Sequence, residues 1–219
     1  MQEHVLVTGI VMKTIPIGDY DKRITILTQE RGKISAFAKG ARRQNSRLMA
    51  ATNPFSFGEF RLFEGRTSYN LVEANISNYF EPLRIDYEAA YFGMYFLEVS
   101  DFYTRENNDE VAMLKLLYQS LRALTISTLN KDLVQYIFEI KSLVVNGEFP
   151  GVLNRERLLS DTVYTIDFIV NSSIEKLYTF MVSKEVLLEL SELSKQYRTK
   201  YISNNFKSLE ILQNCRLKN

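Results

Sequence analysis

The chain of 219 residues has one cysteine, Cys215, and one histidine, His4. A lone cysteine excludes an internal disulfide framework and a multi-cysteine zinc site, and Cys215 reads as a packing residue on a late helix. A lone histidine near the N-terminus leaves no Ser-His-Asp triad except through His4, which reads as the start of a strand. The nine glycines form neither a phosphate-cradling loop nor a Gly-x-Gly-x-x-Gly turn. No apolar run reaches 18 residues, so no membrane-spanning helix is expected. The first residues, Met-Gln-Glu-His-Val-Leu-Val, lack the charged-then-apolar order of a signal peptide, which predicts a protein that stays inside the cell. No carboxylate cluster and no nucleophile–base pair stands out, so neither an enzyme nor a bound cofactor is expected.

Charge of one sign is missing from a particular stretch. Between Arg31 and Arg47 there is no acidic residue, while Arg31, Lys33, Lys39, Arg42, Arg43 and Arg47 supply six cations. The whole chain carries a net charge of only +1, so the positive charge is concentrated in one place. Repulsion among such cations opposes folding unless solvent or an anionic partner screens it. Residues 1–80 hold 11 Lys and Arg against 7 Asp and Glu, a net of +4, whereas residues 81–219 hold 16 against 19, a net of −3. The asymmetry points to two domains with different partners, divided near Pro82: 1–80 and 81–219.

The first domain reads as strands. His4–Lys13 is β-branched and aliphatic, with Gly9 marking a bulge or bend. Arg23–Thr28 and Lys33–Lys39 make a hairpin through Gly32, and Ala41–Thr52 reads as a short helix or coil. Phe57–Glu64 and Tyr69–Tyr79 follow, joined by a turn over Glu64–Ser68. Five strands with a helical insert between the third and fourth match an OB-fold, a small Greek-key barrel that binds single strands or oligosaccharides.

After Pro82 the period becomes helical. Ala89–Tyr103 is apolar nearly all round and suits a buried helix. Asp109–Ile126, then Leu133 to Val144 stopped by Asn146-Gly147, give two more helices, and Ser183–Tyr197 and Tyr201–Gln213 a further pair. Residues 148–182 are expected to be irregular or a β-hairpin insert, with Val163–Val170 as a strand.

In this fold class, α+β with an N-terminal OB-fold and a mostly helical remainder, the basic stretch falls on the second hairpin and the insert, on the expected ligand face. Lys39-Gly40-Ala41-Arg42-Arg43 is its sharpest part: Gly40 permits close backbone approach, and each arginine can fork onto a phosphate. Phe57 and Phe63 share one face of the fourth strand and are candidates for base stacking, beside the alternative of packing. Asp19, Asp21 and Glu30 read as salt-bridge partners of the cations. An alternative is a protein-interaction module whose basic patch binds an acidic peptide or RNA.

These residues also form an ordered signature: Gly18-Asp19-Tyr20-Asp21-Lys22-Arg23-Ile24-Thr25-Ile26-Leu27-Thr28, then Glu30-Arg31-Gly32-Lys33, then Lys39-Gly40-Ala41-Arg42-Arg43 with Ser46, Asn53-Pro54-Phe55 and Glu73-Ala74. In this the chain resembles the RecO family of bacterial recombination mediators. The resemblance implies DNA repair and recombination: binding of single- and double-stranded DNA, strand annealing, and help for RecA to load onto DNA coated by single-strand-binding protein. It implies RecR and the C-terminal tail of single-strand-binding protein as partners, no membrane, and a cytoplasmic, nucleoid location. It extends DNA contact to Lys22 and Arg23, inside the matched motif. Many members carry a four-cysteine zinc module after a Gly-x-x-Pro segment. Gly147–Pro150 fits that entry point, but residues 151–182 contain no cysteine or histidine, so no metal is expected.

Overall fold

The computed structural model describes residues 4–65, 68–202 and 204–216. Strands β1 (His4–Ile17), β2 (Asp21–Thr28), β3 (Gly32–Ala38), β4 (Phe57–Glu64) and β5 (Tyr69–Asn78) close into a barrel in the order β1-β2-β3-β5-β4. Helix α1 (Leu48–Ala51) lies in the connection from β3 to β4. This is the expected OB-like barrel with its insert. Of the expected Glu64–Ser68 turn, Arg66 and Thr67 lie outside the described residues.

Strict alternation builds the barrel core. Ile24 and Ile26 of β2, Ile34, Ala36 and Ala38 of β3, and Phe60 and Leu62 of β4 point inward, against Val7, Val11 and Leu71. The intervening side chains point outward because successive Cβ atoms of a strand alternate between faces. Strand β1 is long enough to serve two neighbours, pairing with β4 over His4–Ile10 and with β2 over Gly9–Ile17. Its register shift lies between Val11 and Lys13 rather than at Gly9. Gly9 marks instead the crossing from one neighbour to the other, where a Cβ would stand 2.3 Å from the Leu27 carbonyl oxygen.

The helices are α2 (Pro82–Ile85), α3 (Tyr87–Tyr103), α4 (Val111–Leu124), α5 (Lys131–Val145), α6 (Ser160–Asn171), α7 (Lys184–Tyr201) and α8 (Lys207–Arg216). The chain divides into two compact units, Met1–Glu81 with Ser100–Leu114, and Pro82–Val99 with Lys115–Asn219. In the first unit the backbone of residues 105–107 lies along the start of β3: Lys33 N–H donates to the Arg105 carbonyl at 2.9 Å and Asn107 N–H to the Arg31 carbonyl at 3.0 Å. Gly32 makes this possible. It ends the β2–β3 turn at φ +62°, and a Cβ there would lie 2.4 Å from the Arg105 oxygen.

In the second unit Asn130 caps α5 by accepting from Asp132 and Leu133 N–H, and Gly147 at φ +70° follows its end. The expected strand Val163–Val170 is instead part of α6. Its residues favour strands by composition, yet Thr162, Thr165, Ile166 and Ile169 are buried at helical spacing, and that apolar stripe packs toward α5 and α7. The carbonyls at the end of α6 are met by Lys141, whose Nζ donates to Ile169, Val170 and Ser172 oxygens at 3.0, 2.9 and 2.8 Å. Burial lowers the pKa of that ammonium.

Glu139, only 1% exposed, holds the middle of this unit. It accepts from Tyr95 Oη at 2.6 Å, Gln135 Nε2 at 2.7 Å, Arg198 Nη1 at 2.7 Å and the Ser194 hydroxyl. Burial, reinforced by the neighbouring carboxylate, raises the Tyr95 phenol well above its usual pKa. Removing one partner of a buried pair strands the other charge, at a cost of about 3–5 kcal/mol. Glu139→Ala should therefore destabilise the protein by about that amount in urea unfolding, with Glu139→Gln losing less because its amide oxygen still accepts.

Candidate nucleic-acid interface

The loop after β3 is fixed to the loop between β1 and β2, atom by atom. Gly40, at φ +67°, donates its N–H to Asp21 Oδ1 at 2.7 Å. Arg42 N–H donates to the Tyr20 carbonyl at 2.8 Å, and Arg42 Nη1 to the Gly18 carbonyl at 2.8 Å. The Arg43 guanidinium lies 5.2 Å from the centre of the Tyr20 ring. Turns from Gly40 to Arg43 and from Arg43 to Ser46 then carry the chain into α1. The signature residues Gly18, Tyr20, Asp21 and Gly40 thus act together as the seat of Arg42 and Arg43.

These contacts hold the arginines without discharging them. Carbonyl oxygens and a ring face carry no compensating charge, and a cation held over an aromatic face keeps its positive field. Lys39, Arg42, Arg43 and Arg47 are exposed, and among the described residues none of them forms an ion pair. Asp21 and Glu30, read from sequence as salt-bridge partners, accept backbone N–H groups instead: Gly40 N–H and Thr8 N–H. Asp21 and Glu30 therefore hold backbone rather than the cations of the loop.

Other cations of the stretch are placed differently. Lys22 Nζ donates to the Met49 carbonyl, Thr52 Oγ1 and Asn53 Oδ1 at 3.1, 2.9 and 3.0 Å, clamping the α1 insert onto β2. Burial lowers its pKa, and the nearby Arg42 charge adds to the effect. Lys33 Nζ is paired with Asp101 at 2.9 Å. Arg31 is half-buried at the β2–β3 turn, its N–H on Thr28 Oγ1 at 3.0 Å. Arg23 is exposed on the outer face of β2, its Nε on Ser35 Oγ at 2.8 Å.

Phe57 and Phe63 both lie on the outer side of β4, half-buried. Phe63 meets the His4 ring edge-on at 6.1 Å. Strand β4 neighbours β1 and β5, not β2 or β3, so these rings are not adjacent to the strands that carry Arg23 and Lys33. Phe37, which sequence reasoning passed over, is directly across from Arg23 on the outer face of β3. The alternation of Lys33, Ser35 and Phe37 was the signal for it. Lys13, exposed on β1 opposite Thr25, joins the same face.

A closed five-stranded barrel followed by a helical region defines a protein with an N-terminal OB-like domain and a helical remainder. Residues 1–80 match the family described as Recombination protein O N terminal, and residues 84–152 the one described as Recombination protein O C terminal. A DNA repair protein RecO of Acetivibrio thermocellus is 28% identical over 238 residues, covering 94% of this chain and 95% of its own. The DNA repair protein RecO of Clostridium perfringens is 25% identical with similar coverage, 94% and 96%. That of Bacillus pumilus is 34% identical over 142 residues, 65% of this chain and 55% of its own. The chain belongs to the RecO family, a family of DNA repair proteins.

The zinc module of other members does not fit here. Residues 151–182 offer no cysteine or histidine, and α6 occupies the segment. No group of three potential metal ligands occurs among the described residues, nor any helix there long and apolar enough to cross a membrane.

The seat of the arginines can be tested at its carboxylate hydrogen bond, from Gly40 N–H to Asp21. Asp21→Ala should cost about 1.5–3 kcal/mol in unfolding free energy, the usual contribution of a hydrogen bond to a charged group. The Gly40 amide should also exchange with solvent faster than the β3 amides. Unaltered Gly40 protection would show that the loop is held by other means.

Proposed function

We propose that this chain binds single- and double-stranded DNA through backbone phosphates, with Lys39, Arg42 and Arg43 as the principal contacts. Arg47, Arg31 and Arg23 add charge around them, and Lys22 and Lys33 contribute to the field from their internal hydrogen bonds. The observation that carries this reading is the group of four exposed cations without an acidic partner, on a loop seated against the barrel. Guanidinium groups fork onto phosphate oxygens, and a rigid seat reduces the entropy lost when they do. Contact with phosphates alone is indifferent to sequence.

Neutralising phosphates on two strands lowers their mutual repulsion, which supports annealing. As a recombination mediator of this kind, the protein would act without catalysis of its own. It would work with RecR and the tail of single-strand-binding protein to help RecA load; family membership is the support for that assignment. Bases exposed by a bound single strand would find Phe37 on β3, or Phe57 and Phe63 on β4, as stacking surfaces worth about 1–3 kcal/mol each.

Arg42→Ala combined with Arg43→Ala should weaken binding of single-stranded DNA of any sequence. The log–log salt slope should become shallower by about 1.4, at about 0.7 per lost phosphate contact. A fluorescence-anisotropy titration between about 50 and 200 mM salt measures both. Unchanged affinity and slope would remove the loop from the interface. Binding of an acidic peptide in preference to DNA in the same titration would favour a protein partner instead.

A further inference from the structure

The outer face of β1–β3 and the residues that end α3 enclose a cleft of about 440 Å³, wholly within the barrel unit. Lys13, Arg23, Lys33 and Arg105 bring four cations to it, and Asp101 and Glu106 two carboxylates. Four cations around one cleft form a site for a polyanion, but one of them is already answered from within. Lys33 Nζ donates to Asp101 Oδ1 at 2.9 Å and to the Asp101 carbonyl at 2.6 Å. Arg105 Nη1 is turned onto the Phe102 and Thr104 carbonyls at 2.7 and 2.8 Å, neutral partners that leave its charge in place. The chain therefore presents a carboxylate where a phosphate would otherwise meet Lys33.

The Lys33–Asp101 pair is half-open to solvent, with side-chain exposures of 22% and 40%. An ion pair so exposed is weak and screened by salt. A phosphodiester flanked by Lys13 and Arg23 can displace it, because it gains the two neighbouring cations as well. The half-buried Phe37 and the exposed Ile15 on the same outer face would receive unstacked bases, which a duplex does not offer.

We infer that Asp101 regulates this part of the DNA-binding face, holding Lys33 in place of a backbone phosphate until a single strand displaces it. The inference rests on the DNA-binding reading and deepens it: Arg23, Lys33 and Phe37 belong to that reading already, and Lys13, Arg105 and Asp101 are added here. Asp101 acts as a brake: it lowers the affinity of the cleft and makes occupancy depend on a local excess of phosphate, as on a strand already captured by the Arg42–Arg43 loop.

The test is a single-stranded DNA titration of Asp101→Asn, with thermal unfolding as a control on structure. Affinity should rise by about 2- to 5-fold, the range an exposed pair of this kind withholds. The salt slope should steepen by about 0.7, one further phosphate contact. Adding Lys33→Ala to Asp101→Asn should abolish the gain. Unchanged or weakened binding by a folded Asp101→Asn protein would overturn the inference. Should Asp101→Asn fail to fold, Lys13→Ala, at an exposed position outside the loop reading, should flatten the slope by about 0.7, and an unaltered slope would overturn it equally. The Arg42→Ala, Arg43→Ala protein in the same assay separates the loop from the cleft. Loss of binding there with silence at Asp101 leaves the loop reading standing and the cleft refuted.

Discussion

The hydrogen bond from Gly40 N–H to the Asp21 carboxylate is the contact on which the functional face depends. It joins two loops that are adjacent only because β1, β2 and β3 pair in sequence order. A stretch of six cations without an acid resists being gathered, and ordinary ion pairing would solve the problem by discharging it. Here the Asp21 carboxylate is spent on a backbone N–H. Arg42 is held by the Gly18 carbonyl and Arg43 by the Tyr20 ring. Orientation is thereby separated from neutralisation, a separation that the proposed binding of a polyanion requires. Lys22 serves the same end from beneath, fixing the insert through three uncharged oxygens.

Much of the barrel was legible because its physics is local. Period-2 alternation in Arg23–Thr28 and Lys33–Lys39 names the inward residues directly, and Gly32 announces the turn. What could not be read is the second use of Gly32. The backbone of Arg105 and Asn108 approaches so closely that no Cβ fits, and nothing in the local sequence signals a neighbour some 70 positions away. The helical region shows the converse error. Val163–Val170 has the composition of a strand, and reading composition ahead of spacing missed the stripe of Thr162, Thr165, Ile166 and Ile169. Glu139 was invisible for a related reason. A glutamate between apolar positions reads as solvated, and Tyr95, Ser194 and Arg198, brought in from other helices, join Gln135 of its own helix to satisfy it in the core.

The candidate site was legible as a charge count but not as an arrangement. Six cations stand in the sequence, and the fold gives them unequal standing: Lys39, Arg42, Arg43 and Arg47 outward, Arg31 half-buried, Lys33 on Asp101. Phe37 and Lys13 belong to the same outer surface, yet neither lies in a motif dense enough to draw notice. Pairing register decides such membership. Arg23 opposite Phe37 and Thr25 opposite both Ser35 and Lys13 are facts of three strands together.

The two cation groups differ in how they are restrained, and under the proposed DNA binding the difference bears on release. Sites that answer phosphate with unopposed arginines bind tightly at low salt and give up DNA only as counterions return. A site whose lysine already has a carboxylate partner loses less when DNA leaves, because Asp101 re-forms the ion pair that the phosphate had broken. Each departing phosphate is then replaced from within the protein rather than by solvent ions alone. Under the proposed DNA binding, an open group of arginines and a self-answered lysine on a single barrel would reconcile capture of strands with their release.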